Sequence, residues 1–595
     1  MSAVEVRIPV SSSARLNVAD RLAAVARELS NETAVVCPGR WSPKYPQIQR
    51  GSSGVRYATT TFSELDADAT RIARGLAAWG VPPGTRLALL VRPGIEFVTL
   101  VFALLRAGIV IVLVDPGLGR RNLIRCLADV EPEGFVAVSL AQAARLCLRR
   151  TFPRARWNVT VGRRWFWGGL TLSELRSRGD QLAPPLPAPR SPLPATHADD
   201  PAAIIFTSGS TGPPKGVLYT HGMFDTQVSE IQSAFYIEPG GVDLACFPLF
   251  ALFNSAMGVT TVLPEMDFSR PASADPEKLL AAANDWQVTQ AFASPAVWRL
   301  LSVSCAKSGA RIESLRQVFS CGAPVPADVL RATLACVAAD AEMHTPYGAT
   351  ECLPVATIEA AEVLGETAAR TDAGAGVCVG RKFDSIDWRV IRITDEPIAT
   401  IDEVEELPRG EIGELIVRGP QVSPRYVTRT ECNDAAKILN QRAGASSPPT
   451  GAEDGPACYD PPKEIEFWHR TGDVGYLDAA DRFWYCGRKS QRVETAAGPL
   501  FTECVEAIFN TRPAVRSSAL VGVGPRGSQT PVIVVEAKAT SGELRKELLA
   551  IAQLHTMTRP IRNVLEHPSL PVDVRHNAKI NREQLALWAS SRIKC

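Results

Sequence analysis

No two cysteines in this chain stand in C-x-x-C spacing, and no Cys/His group has the spacing of a zinc site. The 14 cysteines are scattered through 595 residues, a usage that points to reduced intracellular thiols and away from a disulfide framework. An excess of either charge is also missing. With 64 Lys and Arg against 63 Asp and Glu the formal net charge is +1, so nothing calls for nucleic acid as a partner. The N-terminus, MSAVEVRIPVSSSARLNVADRLAAVA, lacks the basic start, apolar centre and cleavage site of a secretory signal. Nor is there a clean membrane span. The most apolar run, Phe97 to Gly117, is broken by Arg106 and Gly108, and its second half is β-branched. A buried helix, a glycine turn and a buried parallel strand account for it better, since arginine is costly in lipid. These absences predict a cytoplasmic protein with no membrane span.

What is present suits a large globular protein. Apolar residues make up 46% and charged residues 21%, and the length exceeds one ordinary domain. FSELDADATRIARGLAAWG has helical spacing, with Gly80 as its stop, and TRLALLV follows as a short buried strand. The βαβ rhythm predicts an α/β fold, mostly parallel sheets covered by helices, over residues 1–488. Beyond Arg488 about a hundred residues, 489–595, are expected to form a small mobile α+β domain. Residues 181–201 read as a Pro-rich connector, and residues 444–462 as a mobile loop.

One basic, aromatic stretch runs from Arg149 to Gly169, RRTFPRARWNVTVGRRWFWGG. Interleaved Arg and Trp can stack on bases, sit at a membrane interface or form a protein-docking surface. The expectation is a solvated surface segment whose aromatics pack on the domain, with protein docking second.

Chemistry enters at Thr207–Gly216, TSGSTGPPKG, directly after the apolar run AAIIF. A strand feeding such a loop turns backbone N–H groups and the hydroxyls of Thr207, Ser208, Ser210 and Thr211 toward one anion. Gly209 and Gly212 permit the close approach, and Lys215 adds a point charge. Pro214 and Gly216 flank that lysine, so the loop is not the P-loop of NTPases.

In this order the residues resemble the nucleotide-phosphate loop of the adenylate-forming superfamily, which includes acyl-CoA synthetases, luciferases and peptide-synthetase adenylation domains. YGATE, Tyr347 to Glu351, is similar to a second signature of that superfamily. The resemblance implies that Tyr347 stacks on adenine beside Gly348, that Thr350 contacts phosphate, and that Glu351 is catalytic and holds Mg2+. CGAPV resembles the segment along adenine and implicates Gly322, Ala323 and Pro324. RTGDVG implies that Asp473 binds the ribose hydroxyls, with Arg488 reaching the same sugar. PVDVRHNAKINR places Lys579 where the superfamily has its catalytic lysine, although Asn577-Ala578 replace the usual Ser-Gly. The resemblance implies ATP and Mg2+ as cofactors, a large N-terminal ATP- and acyl-binding domain, and a C-terminal lid carrying Lys579. Taken singly, a Glu is most often a solvated charge and a late Lys lies on a helix face. Their joint order carries the inference. The chemistry agrees: joining a carboxylate to an α-phosphate brings two anions together, and Mg2+, lysine and backbone dipoles offset that repulsion.

Three departures narrow the class. The segment CGRKSQRVETAAGPL, Cys486 to Leu500, has Ser490 and Glu494 where the superfamily usually has Asp and Lys, and this puts thiol transfer in doubt. FPLFALFNSAMG lacks the histidine of many acyl-CoA synthetases. It offers Phe250, Leu252, Phe253 and Met257, which with Trp298 of FASPAVW and the segment CLPVA predict a broad apolar acyl pocket. Any one of these is more often plain core than pocket wall. Finally, LVDPGLGRRNL, TPYGATECLPVA and PVDVRHNAKI resemble the olefin-pathway β-lactone synthetases, from about residue 20 to the C-terminus.

That resemblance implies a long-chain 2-alkyl-3-hydroxyalkanoic acid as substrate, adenylated at its carboxylate and closed by its own 3-hydroxyl to a cis β-lactone. It implies separate thiolase-like and reductase enzymes as partners. His576, three residues before Lys579, is a candidate base, weighed against an ordinary surface or core histidine and against the adenylate phosphate. The alternative is a long-chain fatty acyl-CoA or acyl-AMP ligase, and a non-catalytic nucleotide-binding scaffold is the third reading.

Overall fold

The computed structural model describes residues 15–39, 48–181, 193–207, 213–440, 467–537, 542–572 and 580–593. The fold is mixed α/β, with a large N-terminal domain and a smaller C-terminal one. The helix predicted after residue 61 runs Phe62–Trp79. Thr61 Oγ1 accepts from the Glu64 N–H at 3.2 Å, and Glu64 Oε2 accepts from the Thr61 N–H at 2.9 Å. Such a reciprocal cap contributes about 1 kcal/mol. Gly80 ends the helix in the left-handed region, with φ 84°.

The apolar run folds as expected, into helix Ile95–Arg106, a turn at Gly108 and strand Val110–Leu113. Arg106 is buried but paired: its guanidinium lies 2.6 Å from Asp66 and donates to the Ala19 carbonyl at 3.1 Å. This pairing offsets the desolvation of the charge inside the domain. No helix among the described residues is long and apolar enough to cross a membrane.

Two large sheets dominate the N-terminal domain. In the seven-stranded sheet the order is Gly216–Thr220, Pro201–Phe206, Val110–Leu113, Arg86–Leu90, Gly134–Val138, Trp157–Val161 and Leu170–Thr171. The eight-stranded sheet places four parallel strands side by side: Glu342–His344, Gln317–Ser320, Gln290–Ala293 and Val242–Ala245. A six-stranded antiparallel sheet follows, containing the long strand Phe467–Leu477 and its neighbour Phe483–Arg488. Of the Pro-rich connector, 182–192 lie outside the described residues, and 193–200 hold no strand or helix. The loop 444–462 lies wholly outside them.

After Arg488 comes one 3-10 turn, Lys489–Gln491, and then a three-stranded sheet of Val515–Val523, Thr530–Ala537 and Asn563–Glu566. Helices Thr502–Asn510 and Gly542–Leu554 pack with it around a core that includes Val505, Phe509, Ile533 and Leu548. Gly487 makes this junction compact. Its φ is 132°, and a Cβ there would lie 2.3 Å from Thr502 Oγ1, so only glycine lets the helix start this close to the strand.

Candidate active site

In an open parallel sheet, ligands bind beyond the carboxyl ends of the strands. Four segments flagged in the sequence occupy that position on neighbouring strands. Phe247–Phe250 follow strand Val242–Ala245, Ser294 follows Gln290–Ala293, Cys321–Val325 follow Gln317–Ser320, and Tyr347–Glu351 follow Glu342–His344. Gly322 has φ 95°, and it and Pro324 are exposed with Ala323 half-buried between them, forming a ledge at the edge of the site.

Tyr347 lies in line with the Phe483 and Tyr485 rings, 6.1 and 6.3 Å away. Its hydroxyl donates to Asp473 Oδ2 at 2.5 Å. Burial and the nearby Asp473 carboxylate push the phenol up, which keeps the proton on Tyr347. Asp473 and Arg488 are register partners on adjacent strands, and Arg488 Nη1 sits 3.0 Å from Asp473 Oδ1. That carboxylate holds the guanidinium charged despite its burial. The residues expected at the base and at the sugar therefore meet in one hydrogen-bonded group.

A second group forms around the other end of the same signature. Tyr426 donates to Glu351 Oε1 at 2.6 Å, and the Ser423 N–H donates to the Glu351 carbonyl at 2.7 Å. Lys215 Nζ lies 4.5 Å from the centre of the Tyr426 ring, a cation–π distance. Burial and Glu351 push the Tyr426 phenol up, so it stays a donor. Tyr219 donates to the Thr350 carbonyl at 2.6 Å. Strands Pro201–Phe206 and Gly216–Thr220 form the hairpin that presents the phosphate loop, closed by Lys215 N–H donating to Thr207 Oγ1 at 3.1 Å. Ser208, Gly209, Ser210, Thr211 and Gly212 lie outside the described residues, as do His576 and Lys579.

Sequence reasoning missed the residues behind this group. Lys437 donates to the Ser423 carbonyl and lies 4.8 Å from the Phe467 ring centre. Burial lowers its pKa to about 7, against the pull of Glu351. Its strand partner His469 is fully buried and donates through Nδ1 to the Ala436 carbonyl at 3.1 Å, and burial with nearby Lys437 keeps it neutral. A lysine and a histidine 32 positions apart carry no local signal; only the pairing of strands Lys437–Leu439 and Phe467–Leu477 joins them.

The predicted acyl pocket divides. Phe250 stacks on Phe292 with ring centres 3.7 Å apart, and Phe253 lies 5.7 Å from Phe250. Met257 is buried in the same cluster. Trp298 does not join them. It is fully buried with Ala291 and Val318, and its Nε1 donates to the Phe319 carbonyl at 3.0 Å. Successive strand residues point to opposite faces, so Phe292 and Phe319 face Phe250 while Ala291 and Val318 face Trp298. The helical segment after Ala293 carries Trp298 behind the sheet, where it is core.

In the segment that begins at Cys486, Lys489 Nζ is 3.0 Å from the fully buried Glu414, which also receives Arg470 at 2.5 Å. Glu494 lies 2.6 Å from Arg492 and 3.2 Å from Arg526, and both arginines reach Asp395 at 2.9 and 3.2 Å. Gln491 accepts from Arg582 at 3.2 Å, and Arg582 pairs with Glu506. Glu494 thus sits in a ladder of opposite charges between the two domains, while Ser490 is exposed.

One carboxylate held on one oxygen suits Mg2+, which keeps waters and takes its remaining ligands from substrate phosphates. No group of three or more His, Cys, Asp or Glu able to hold a metal occurs among the described residues.

Fold and site together define an enzyme that activates carboxylates with ATP, and the known proteins agree. The family described as AMP-binding enzyme matches residues 23–427. An olefin beta-lactone synthetase of Stenotrophomonas maltophilia is 46% identical over 97% of this chain and 99% of its own length. One of Xanthomonas campestris pv. campestris is 45% identical over 97% and 98%. An o-succinylbenzoate coenzyme A synthetase of Bacillus subtilis, solved with ATP and magnesium ion, shares the fold at a TM-score of 0.67 and 21% identity, over 95% of this chain and 98% of its own. The chain belongs to the AMP-binding, adenylate-forming ligases, within the family of the olefin beta-lactone synthetases.

Proposed function

We propose that the enzyme adenylates the carboxylate of a long-chain 2-alkyl-3-hydroxyalkanoic acid and closes the acyl adenylate with the substrate's own 3-hydroxyl. In the first step a carboxylate oxygen bonds to the α-phosphorus and the bond to pyrophosphate breaks. In the second, the 3-hydroxyl oxygen bonds to the acyl carbon, the bond to AMP breaks, and the hydroxyl proton passes to the departing phosphate. The products are a cis β-lactone, AMP and pyrophosphate. Held in attacking geometry, such an internal nucleophile can gain roughly 7–11 kcal/mol over a free one.

In this reading the 207–216 loop and Lys215 cradle the phosphates, and Tyr347, Gly348 and the 322–324 ledge flank adenine. Asp473 and Arg488 hold the ribose, Thr350 lies at the α-phosphate, and Lys579 is brought in by a lid hinged near residue 488. Glu351, oriented by Tyr426, would hold Mg2+, which supplies charge neutralisation at the phosphates. Phe250, Phe253, Met257 and Phe292 line the acyl pocket. The observation that supports the reading most is the meeting of Tyr347, Asp473 and Arg488 beside Glu351, Tyr426 and Lys215, joined to a hinge whose Glu494 is committed to ion pairs. We place the enzyme in the cytoplasm, supplied by thiolase-like and reductase enzymes that are separate proteins.

The test is to supply ATP, Mg2+ and a 2-alkyl-3-hydroxy acid, with and without coenzyme A. Lactone and AMP without thiol support the reading. Acyl product only with coenzyme A, or equal turnover of acids lacking the 3-hydroxyl, would replace it with the acyl-CoA or acyl-AMP ligase.

A further inference from the structure

The basic, aromatic stretch has no part in the site just described. Its strands, Trp157–Val161 and Leu170–Thr171, form one edge of the seven-stranded sheet, and the phosphate-loop hairpin forms the other. Five strand spacings separate Leu170–Thr171 from Pro201–Phe206, about 24 Å.

Part of the stretch packs as expected: Trp167 is buried and donates to Thr160 Oγ1 at 2.9 Å. The two residues before it do not. Phe166 is 78% exposed and Trp165 is 53% exposed, both standing on the buried Trp167 ring at 5.4 and 5.3 Å. The neighbouring helix Ser139–Cys147 meets this tip where Ser139 Oγ donates to the Arg163 carbonyl at 2.5 Å. On that helix Leu140 is 76% exposed, and Ala144 and Cys147, also exposed, follow at i+4 and i+7. That spacing puts three apolar residues on one open helical face.

Charge frames this apolar tip with a single sign. Residues 134–173 contain seven arginines and no acidic residue. Arg154 and Arg164 pair with Glu131 and Glu174, which lie outside that span. Arg149, Arg150 and Arg163 are exposed and form no ion pair among the described residues.

We propose that this edge docks on an anionic lipid surface, with Leu140, Trp165 and Phe166 entering the headgroup boundary and Arg149, Arg150 and Arg163 facing lipid phosphates. Protruding side chains, not a groove, carry the apolar area, and Trp flanked by Arg is the composition that settles at a bilayer interface. The opposite sheet edge stays open to nucleotide. Docking goes beyond the reaction proposed above and does not depend on it.

Sedimentation of the full chain with vesicles tests this. Binding is expected to vesicles of phosphatidylglycerol and phosphatidylcholine mixed, to be weak on phosphatidylcholine alone, and to fall with salt as the exposed charges are screened. W165S/F166S should lower partitioning at least tenfold. R149A/R150A/R163A should lower it about fivefold for each arginine removed. Both variants should retain wild-type pyrophosphate release on dispersed acid, which also reports that they fold. No binding to the anionic vesicles, or binding unchanged in both variants, overturns the proposal. So does a concentration-dependent dimer of the wild type that W165S/F166S abolishes without any vesicle binding, since a second copy would then cover the patch.

Discussion

Replacing Tyr426 by Phe removes one oxygen atom and leaves the ring on which Lys215 rests. The lost contact is a hydrogen bond of 2.6 Å to Glu351 Oε1. A neutral donor to a carboxylate contributes about 1.5–3 kcal/mol. At about 1.36 kcal/mol per factor of ten, that range corresponds to roughly 13- to 160-fold. Not all of it need appear in the rate, because water can reach a half-buried carboxylate. Groups that orient a metal-binding carboxylate typically cost about 10–100-fold when removed. The expected result for Tyr426→Phe is therefore a fall of about 10–100-fold in pyrophosphate release, with a higher Mg2+ concentration for half-maximal rate and little change in thermal midpoint. Tyr426→Leu, which also strips Lys215 of its aromatic support, should fall further. The assay is pyrophosphate release at saturating ATP and acid over a Mg2+ titration. If Tyr426→Phe matches the wild type at every Mg2+ concentration, Glu351 is not oriented by this hydroxyl and the reasoning fails.

Four further outcomes are expected. Lys437 titrates near 7 when folded and near 10.4 when unfolded, so the unfolded chain binds more protons between those values and stability rises with pH across them. Lys437→Met should thus stabilise the protein more at pH 6 than at pH 10, read by urea unfolding; the opposite order would contradict the assigned burial. Trp298→Ala should cost about 3–5 kcal/mol of stability and leave chain-length preference unchanged, whereas Phe250→Ala should shift preference toward bulkier acids. Gly487→Ala forces a methyl group onto Thr502 and should lower the thermal midpoint while hardly altering ATP binding measured by calorimetry. Glu494→Lys, which introduces the residue usual at that position, should not create coenzyme A dependence; it would face the largely buried Arg492 as well as Arg526 and should lower the thermal midpoint. Thioester made by this variant would overturn that expectation.

Local signals were read well from the sequence. The Thr61 cap, the Gly80 stop and the break at Arg106-Gly108 are short-range features, and each appears where the pattern puts it. Motif order also singles out Asp473 and Arg488, which strand pairing brings together. What the sequence hid depends on strand pairing and sheet face. Tyr426 reaches Glu351 across 75 positions, and Lys437 meets His469 only through a ladder. The nearness of Trp298 to FASP suggests a pocket wall, yet the helix after that strand carries it behind the sheet. The exposed Trp165 and Phe166 depart from the packing expected of their stretch, whereas Phe152, Trp157 and Trp167 follow it.

The long strand Phe467–Leu477 has a consequence for how such an enzyme can change its product. Within eleven residues it supplies His469 to the Lys437 pair, Arg470 to the buried Glu414 that anchors Lys489, and Asp473 to Tyr347 and Arg488. The group proposed to hold the nucleotide and the contacts that anchor the domain junction therefore share one stretch of backbone, and an alteration there is expected to disturb both at once. Past Arg488 the side chains leave that group: Lys489 and Arg492 pair with Glu414 and Asp395 of the large domain, and Gln491 accepts from Arg582 of the small one. In the proposed reading, the residues just downstream of that strand can change with the acceptor of the acyl group while the contacts among Tyr347, Asp473 and Arg488 stay as they are.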